Sequence, residues 1–334
     1  MKKITNFAMA TAAALTIVGC SDNKNVTLNG AGASFPAPVY QNWTHSYSQV
    51  TPEVQVNYQS LGSGAGINQI KAGTVDFAGS DNPLTQAEQN ESGLLQFPML
   101  TGGVTVIVNI PGISNNQLKL SRENLADIFL GKITKWNDTK LLKDNPELPN
   151  LDITVVHRAD ASGTSFIFTN YLSKISAEWE RVAGCNSAVK WPVGIGGQKN
   201  PGVCNNVAKI KGAIGYTEYT YAVEAKLAMA QLENKAGNFI APSIDNFIAG
   251  AAAADWKNAP GFYMVLTVQD GGKSYPILGV TYILFRKDLA ADRKADLFKY
   301  FNYCLTSGSA AAKRLQYVPL PENVVKLIQN EVLK

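Results

Sequence analysis

The chain has 334 residues, of which 46% are hydrophobic and 17% charged, and this apolar content excludes a disordered chain. The net charge is +4 without a run of basic residues, so no nucleic-acid-binding surface is expected. Histidine occurs only at His45 and His157, and no HExxH pattern is present, so neither a metal site nor a cofactor is predicted. The length allows two domains, each with its own core.

The first twenty residues have the pattern of an export signal. Lys2 and Lys3 form a positive start, and the apolar stretch 4–18 is shorter than the ~20 residues needed to span a bilayer. The stretch ends in Ile-Val-Gly-Cys, which resembles a bacterial lipobox, so we expect Cys20 to become the lipidated first residue after removal of 1–19. Ordinary cleavage beside an incidental cysteine is the alternative. The predicted product is a membrane-anchored lipoprotein of the periplasm, with the membrane leaflet left open.

Short runs rich in β-branched residues alternate with helical patterns along the rest of the chain. The runs with the composition of buried strands are 104–110, 153–157 and 277–285. The segments with helical spacing of apolar residues are 124–130, 291–305 and 322–333. Ser121 is the expected N-cap of the first of these helices, and Gly131 its stop. The alternation predicts an α/β fold with mostly parallel sheets, and Pro111-Gly112 and Pro260-Gly261 are candidate crossings between two lobes.

Four segments combine small residues, glycine and a hydroxyl or carboxylate between a strand and a helix. They are 30–38, 61–67, 75–83 and 157–166. Backbone N–H groups at a helix start, together with nearby hydroxyls, are donors suited to an anion. The fourth segment is the most specific, because it also has Arg158, and Asp160 two residues on could hold the guanidinium. Each turn alone is more typical of a tight connection, and none has the ending of a P-loop or the G-x-S-x-G of a hydrolase.

Three further cysteines follow the predicted signal. Cys185 and Cys204 lie 19 positions apart, and the Gly/Asn/Pro-rich stretch 194–206 is typical of a loop. An oxidising periplasm favours a disulfide between them, which would add on the order of 3 kcal/mol of stability in the chain-entropy model. Two free thiols are the alternative, since a sequence contains no Cα–Cα distance. Cys304 lies in a stretch with helical apolar spacing and is predicted to be a buried free thiol.

Eight motifs follow one another in the order of a known family. They are GAGASFPAPVYQNW, GSGAGINQI, VDFAGSDNPL, IFLGKITKWND, VHRADASGTSFIFTNYL, VKWPVGIGG, GAIGYTEY and LPENVV. Together they resemble the periplasmic phosphate-binding proteins of high-affinity phosphate ABC transporters, from about Val26 to the C-terminus. The resemblance implies a type II periplasmic binding protein, an α/β fold of two lobes, each a mixed sheet flanked by helices, with the ligand in the cleft. The implied bounds are 26–108 plus 265–334 for lobe one and 109–264 for lobe two.

The resemblance also implies the phosphate contacts, residue by residue. The first three turns would supply Ser34, the Phe35 amide, Ser63 and Asp81, and the fourth would supply Arg158, Ser162, Gly163 and Thr164. Asp160 would orient Arg158. The family usually has threonine where Ser34 stands, which keeps the hydroxyl, and often has glycine where Ala161 stands.

Asp81 is the informative residue of this set. An ionised carboxylate can only accept hydrogen bonds, and phosphate at neutral pH still has a proton to donate, whereas sulfate has none. Asp81 is therefore expected to exclude sulfate. The predicted function is the binding of inorganic phosphate and its delivery to an inner-membrane ABC permease, by a monomer that is not an enzyme.

Three other functions stay open at this point. One is an exported binding protein for another oxyanion, against which Asp81 argues. The second is an exported phosphate-ester hydrolase, which would need a nucleophile with a base or a metal cluster, and the sequence has no motif for either. The third is a sensing or adhesion role added to phosphate binding.

Overall fold

The computed structural model describes residues 25–334, so the predicted signal 1–19 and the predicted lipidation site Cys20 lie outside the described residues. The strands are β1 (Val26–Gly32), β2 (Val54–Ser60), β3 (Phe77–Ser80), β4 (Leu94–Asn109), β5 (Lys119–Leu120), β6 (Thr154–Arg158), β7 (Ile195–Gly197), β8 (Ala213–Glu218), β9 (Ala228–Met229), β10 (Gln231–Glu233), β11 (Phe239–Ile240), β12 (Leu278–Arg286) and β13 (Val318–Pro319). The helices are α1 (Ala37–Val50), α2 (Ser63–Lys71), α3 (Gln86–Ser92), α4 (Arg122–Phe129), α5 (Thr139–Leu142), α6 (Gly163–Ile175), α7 (Ala177–Val182), α8 (Lys199–Lys209), α9 (Tyr219–Glu224), α10 (Ile244–Ala251), α11 (Ala291–Leu305), α12 (Ser309–Arg314) and α13 (Glu322–Glu331).

The main sheet has two groups of strands. In the first group, β1 is parallel to β2 and β3, and β12 is antiparallel to β3 and β4. In the second group, β6 is parallel to β7 and β8, and β8 is antiparallel to β4. The order across both groups is β2-β1-β3-β12-β4-β8-β6-β7. The sheet is therefore mixed and not mostly parallel as predicted, because the long strands β4 and β12 run against their neighbours.

Strand β4 belongs to both groups. Its first part, up to Gly103, pairs with β12, and its last part, from Val104, pairs with β8. A side-chain carbon at Gly103 would lie 2.2 Å from the ring of Phe247, so only glycine lets this ring pack on the backbone where β4 changes partner. The chain thus passes from one group to the other inside a strand, before it reaches Pro111-Gly112. The lobe bounds given above stay a prediction.

The predicted elements lie where the hydrophobic patterns indicated. The three predicted strands overlap β4, β6 and β12, and the three predicted helices overlap α4, α11 and α13. Ser121 caps α4, because its hydroxyl oxygen accepts a hydrogen bond from the Asn124 N–H at 3.1 Å, and Gly131 follows with a φ of 76°. The first half of β4 escaped prediction because Pro98 and two glycines interrupt its apolar pattern.

The central strands β3, β4, β8 and β12 are buried along almost their whole length, since helices cover the sheet. Phe77, Phe97 and Phe301 pack edge to face at ring-centroid distances of 5.1 and 5.4 Å in this core. Within 25–334, no helix has both the length and the apolar character required to cross a bilayer. The packed core fixes the positions of the strand ends, where the candidate site residues described below lie.

Candidate functional site

Three turns of the first strand group lie at one edge of the sheet. Ser34 and Phe35 follow β1, Ser63 begins α2 after β2, and Asp81 follows β3 directly. Because β1 lies between β2 and β3 and is parallel to both, their carboxyl ends are neighbours. All four residues are at most 2% exposed. Ser63 joins two of the turns, since its Oγ accepts a hydrogen bond from the Asp81 N–H at 3.2 Å.

The fourth turn connects β6 to α6. Arg158 is the last residue of β6, Ser162 is the N-cap of α6, and Gly163 and Thr164 are its first two residues. Ser162 Oγ accepts a hydrogen bond from the Ser165 N–H at 3.1 Å, which leaves its hydroxyl proton free to donate. The first N–H groups of a helix have no partner within the helix, and the helix dipole makes this end positive. The turn therefore presents amide, hydroxyl and guanidinium donors together.

Gly163 brings the fourth turn into contact with the first strand group. A side-chain carbon at this position would lie 2.5 Å from Ser63 Oγ and 2.8 Å from the backbone nitrogen of Asp81. Across the same interface, the Gly64 N–H donates to the Ala161 carbonyl oxygen at 3.1 Å. The two strand groups are thus closed on each other at the turns that the sequence singled out.

Arg158 is buried and held by two residues. Its Nε and Nη2 donate to the two carboxylate oxygens of Asp160 at 2.9 and 2.5 Å, and its Nη1 lies 3.5 Å from Asn200 Oδ1. Burial opposes the ionisation of Asp160, but the hydrogen bonds and charge of Arg158 outweigh it and hold the pKa of Asp160 below its usual range. Asn200 in turn donates to Ser34 Oγ at 3.2 Å. The guanidinium is fixed in place with further N–H groups on Nη1 and Nη2 for a ligand.

Asp81 combines burial with an unused oxygen. Among the described residues its Oδ1 has no hydrogen-bond partner, and its Oδ2 lies 3.4 Å from Ser63 Oγ. Burial raises the pKa of Asp81 to about 7, opposed by the nearby Thr281 hydroxyl, the charge of Arg158 and the Ser63 hydroxyl. Thr164 Oγ1 is likewise buried without a partner in the described part of the chain. Because an unpaired buried polar atom costs about 1–3 kcal/mol, these two atoms point to a ligand.

This set of groups is suited to a compact oxyanion. Hydroxyls and amides restore the hydrogen bonds that such an ion loses on leaving water, without adding net charge. Arg158 adds charge-assisted hydrogen bonds, and the unused Asp81 oxygen, near the Thr281 hydroxyl, is suited to a ligand that donates a proton. Across residues 25–334, no three His, Cys, Asp or Glu side chains are grouped as a metal site.

Comparison with known proteins supplies the family. The model of the PBP superfamily domain matches residues 19–308. The phosphate-binding protein PstS of Pasteurella multocida is 49% identical over 307 residues, which cover 91% of this chain and 89% of the relative. PstS of Xylella fastidiosa (strain Temecula1) is 47% identical over 310 residues, which cover 92% and 85%. The chain belongs to the PstS family of phosphate-binding proteins.

The fold of the PstS family is also found among solved structures. The phosphate-binding protein of Stenotrophomonas maltophilia superposes with a TM-score of 0.71 over 92% of this chain and 94% of that one, at 20% identity. The two-lobed α/β fold of periplasmic binding proteins, which the resemblance implied, is therefore confirmed.

Asn200 is a residue of this candidate site that the sequence reasoning missed. It lies in α8, is fully buried, and connects Arg158 to Ser34, so it joins the two strand groups. A signal was present, since the stretch 196–200, which runs from β7 into α8, has the same small and polar composition as the four predicted turns.

Two tyrosines were missed as well. The Tyr221 hydroxyl donates to the Ser34 carbonyl oxygen at 2.6 Å, and the Tyr317 hydroxyl donates to the Phe35 carbonyl oxygen at 2.7 Å. These contacts span 187 and 282 positions of the chain, so no local pattern could have indicated them. Both tyrosines hold the backbone of the first turn.

The structure corrects the predicted disulfide, because Cys185 and Cys204 are both free thiols. The Gly/Asn/Pro-rich stretch is not a loop but contains β7 and most of α8, and Cys204 is buried on that helix with its thiol 3.6 Å from Thr217 Oγ1. The Cys185 thiol lies 3.7 Å from the Phe166 carbonyl oxygen. Burial raises the pKa of both thiols, that of Cys204 to about 11. Cys304 is a buried free thiol in α11, as predicted.

Proposed function

We propose that the protein binds one inorganic phosphate ion between its two strand groups and delivers it to an inner-membrane ABC permease. The observation behind this proposal is the buried, unpartnered Asp81 oxygen among hydroxyl, amide and guanidinium donors. Relatives that are 45–49% identical over nine-tenths of the chain are phosphate-binding proteins, which supports the same ligand here.

The proposed ligand contacts come from all four turns. They are the side chains or amides of Ser34, Phe35, Ser63, Asp81, Arg158, Ser162, Gly163 and Thr164. Seven of these residues donate hydrogen bonds, and Asp81 alone accepts one. Asp160 keeps Arg158 in position and does not touch the ligand.

The proposed selectivity for phosphate over sulfate follows from the proton that phosphate carries and sulfate lacks. Above its raised pKa of about 7, ionised Asp81 accepts the proton that the phosphate dianion still carries, which gives its unused oxygen a partner. Sulfate has no proton, and it would place an oxygen lone pair against a buried carboxylate of the same charge. The resulting repulsion and lost hydrogen bond disfavour sulfate.

Transport requires that binding be linked to a change of shape. A ligand held by turns of both strand groups binds the closed arrangement better than an open one, so phosphate shifts the equilibrium towards closure. The proposed moving bodies are 26–108 with 265–334, and 109–264. The permease would then recognise the closed form.

The proposed location is the periplasmic face of a membrane, reached through removal of 1–19 and lipidation of Cys20. Family membership supports a periplasmic binding protein. Mass spectrometry of the membrane fraction should find an acylated Cys20 peptide, and Cys20→Ser should release the protein into the soluble fraction. Recovery of wild-type protein as a soluble chain with an unmodified Cys20 would contradict the anchor. Light scattering is expected to give the mass of a monomer.

We also propose that the protein is a binding protein without hydrolase activity. His45 lies on the exposed side of α1, and the ring of His157 stacks on Trp191 at a centroid distance of 4.9 Å. Neither imidazole hydrogen-bonds to a serine in the four turns, as a base for a hydroxyl nucleophile would need to. Turnover of a generic phosphomonoester by the purified protein would overturn this assignment.

The ligand is tested by calorimetric titration of phosphate-stripped protein with inorganic phosphate. We expect saturable binding of one phosphate per chain, weakened at least tenfold by Thr164→Val, because loss of one hydrogen bond to a charged ligand costs about 1.5–3 kcal/mol. Thr105→Val is the matched control, since its hydroxyl is also buried without a partner but lies in β4 outside the four turns. Absence of any heat of binding in the wild type would overturn the proposal.

A further inference from the structure

Glu218 is a second buried carboxylate, outside the set of ligand contacts. It is 0% exposed, ends β8, caps α9, and lies in the GAIGYTEY motif that the proposed site does not use. Its pairing partner is Val104, the residue at which β4 changes from the first strand group to the second. Glu218 therefore lies at the junction about which the two groups would move.

The side chains around Glu218 connect it to the backbone of the phosphate site. The Tyr317 hydroxyl lies 3.1 Å from Glu218 Oε2 and 2.7 Å from the Phe35 carbonyl oxygen. The Thr220 hydroxyl lies 3.2 Å from Glu218 Oε1 and 2.8 Å from the Leu315 carbonyl oxygen. Glu218, Thr220 and Tyr317, here named the Glu218 cluster, thus tie the second strand group to the first turn of the site.

If Glu218 is ionised, the hydroxyl groups of this cluster have fewer protons to donate than there are acceptor oxygens around them. Tyr317 and Thr220 each have one hydroxyl proton, yet the two protons face four acceptor oxygens. The shorter contact of each hydroxyl is to a carbonyl oxygen, so each turns lone pairs towards the carboxylate. Two backbone donors also face the carboxylate, the Thr220 N–H at 3.0 Å from both oxygens and the Tyr221 N–H. A proton on Glu218 removes the conflict by donating to one hydroxyl oxygen.

Within residues 25–334, no cationic side chain is in contact with Glu218. The titratable groups that face it are Tyr219 and Tyr221 on α9, Cys204 on α8 and Tyr317 before β13, all neutral near pH 7. Burial raises the pKa of Glu218 to about 8, opposed by the Thr220 N–H and by weaker hydrogen bonds from its neighbours. The hydrogen-bond geometry and the burial of Glu218 thus both favour its protonated, neutral carboxyl group.

We infer that Glu218 is a positioning residue that holds the Ser34–Phe35 turn in the closed site through Tyr317, and that closure around phosphate retains one proton on Glu218. The inference rests on the proposed function, since the turn it holds is a proposed phosphate contact. Opening would admit water to the carboxyl group and return its pKa towards the ordinary value near 4.5.

The difference between the pKa of Glu218 in the closed and open protein sets the direction in which phosphate affinity changes with pH. The closed protein binds the Glu218 proton more tightly than the open protein, so phosphate binding takes up a proton between the two pKa values. The contribution of Glu218 to affinity is complete below about pH 4.5 and is lost as the pH rises to about 8. One proton corresponds to a slope of about tenfold in affinity per pH unit.

The test compares wild-type protein with Glu218→Gln, whose amide donates a hydrogen bond without titrating. Phosphate affinity is measured by calorimetry from about pH 5 to about pH 8, in two buffers with different ionisation enthalpies to count protons. We expect the ratio of wild-type to variant affinity to fall at least tenfold over this range, and the variant to take up fewer protons. Asp81 and phosphate titrate in both proteins, so their effects cancel in the ratio. Glu224→Gln, exposed on the same helix, should behave as wild type.

A constant affinity ratio and equal proton counts would overturn the inference. If Glu218→Gln does not fold, Glu218→Met replaces it, since a side chain that does not titrate should remove the same pH-dependent part of the affinity. Titration of the wild type alone separates this inference from the proposed function. Wild-type protein that binds no phosphate at any pH would overturn the proposed function. Wild-type protein that binds phosphate with the same pH profile and proton count as Glu218→Gln would overturn the proton on Glu218 and leave the proposed function in place.

Discussion

Asp81 and Glu218 are both buried carboxylates, and burial raises the pKa of each, to about 7 and about 8. They differ in what surrounds their oxygens. Asp81 has an oxygen without a partner in the described residues and lies near the charge of Arg158. Both oxygens of Glu218 have hydrogen-bonding neighbours, and none of the described groups facing it is a cation. An unused oxygen beside a cation marks a place for a ligand, and a fully surrounded oxygen marks a proton held inside the protein. The comparison separates two functions that burial alone would not distinguish.

The largest expected effect comes from Arg158→Ala. Removing one partner of a buried charge pair costs about 2–5 kcal/mol, so phosphate affinity should fall by roughly thirty-fold to several thousand-fold. The variant also sharpens the comparison, because the charge of Arg158 lowers the pKa of Asp81 and should leave the pH dependence due to Glu218 unchanged. Calorimetry measures both effects, with Arg181→Ala on the exposed side of α7 as control. An affinity within threefold of the wild type would place Arg158 outside the site.

A smaller but still large loss is expected for Gly163→Ala. The added carbon would lie within 2.8 Å of Ser63 Oγ and the Asp81 backbone, so the two strand groups could not close fully. We expect at least tenfold weaker phosphate binding with an unchanged unfolding midpoint. Gly272→Ala is the matched control, since its added carbon would have 3.6 Å to the nearest neighbouring atom. Wild-type affinity in Gly163→Ala would contradict the closed contact between the turns.

The smallest expected effect is that of a reducing agent on the stability of the protein. In the Cys20→Ser variant, a thiol reagent should count three thiols in the unfolded chain, at Cys185, Cys204 and Cys304. A reducing agent should leave the unfolding midpoint unchanged, because no disulfide contributes to stability. A count of one thiol would show that Cys185 and Cys204 are joined after all.

The sequence predicted the four turns because their information is local. Each places hydroxyls, glycine or a charge directly after an apolar strand, and parallel strands bring those ends together. The Arg158–Asp160 pair was also predictable, since the two residues are two positions apart. The contacts of Asn200, Tyr221 and Tyr317 were not, because the folded chain joins residues that are far apart in sequence.

The dependence on contacts between distant residues also explains two wrong predictions, the loop around Cys204 and the direction of the strands. A glycine- and asparagine-rich composition indicated a loop around Cys204, but tertiary packing stabilises a helix there and buries the thiol. Strand direction was misjudged because β12 enters the sheet from a distant part of the chain and pairs antiparallel to β3 and β4. Hydrophobic patterns locate a strand without giving its direction.

The most direct test of the account is the phosphate and sulfate selectivity of wild-type protein and Asp81→Asn. At about pH 8 most Asp81 is ionised, whereas the asparagine amide can donate to either anion. We expect the wild type to bind phosphate without detectable binding of millimolar sulfate, and Asp81→Asn to bind both, with selectivity reduced at least tenfold. Glu218→Gln, the other buried carboxylate, should keep wild-type selectivity. Unchanged selectivity in Asp81→Asn would contradict the central claim that one buried acceptor distinguishes the two anions.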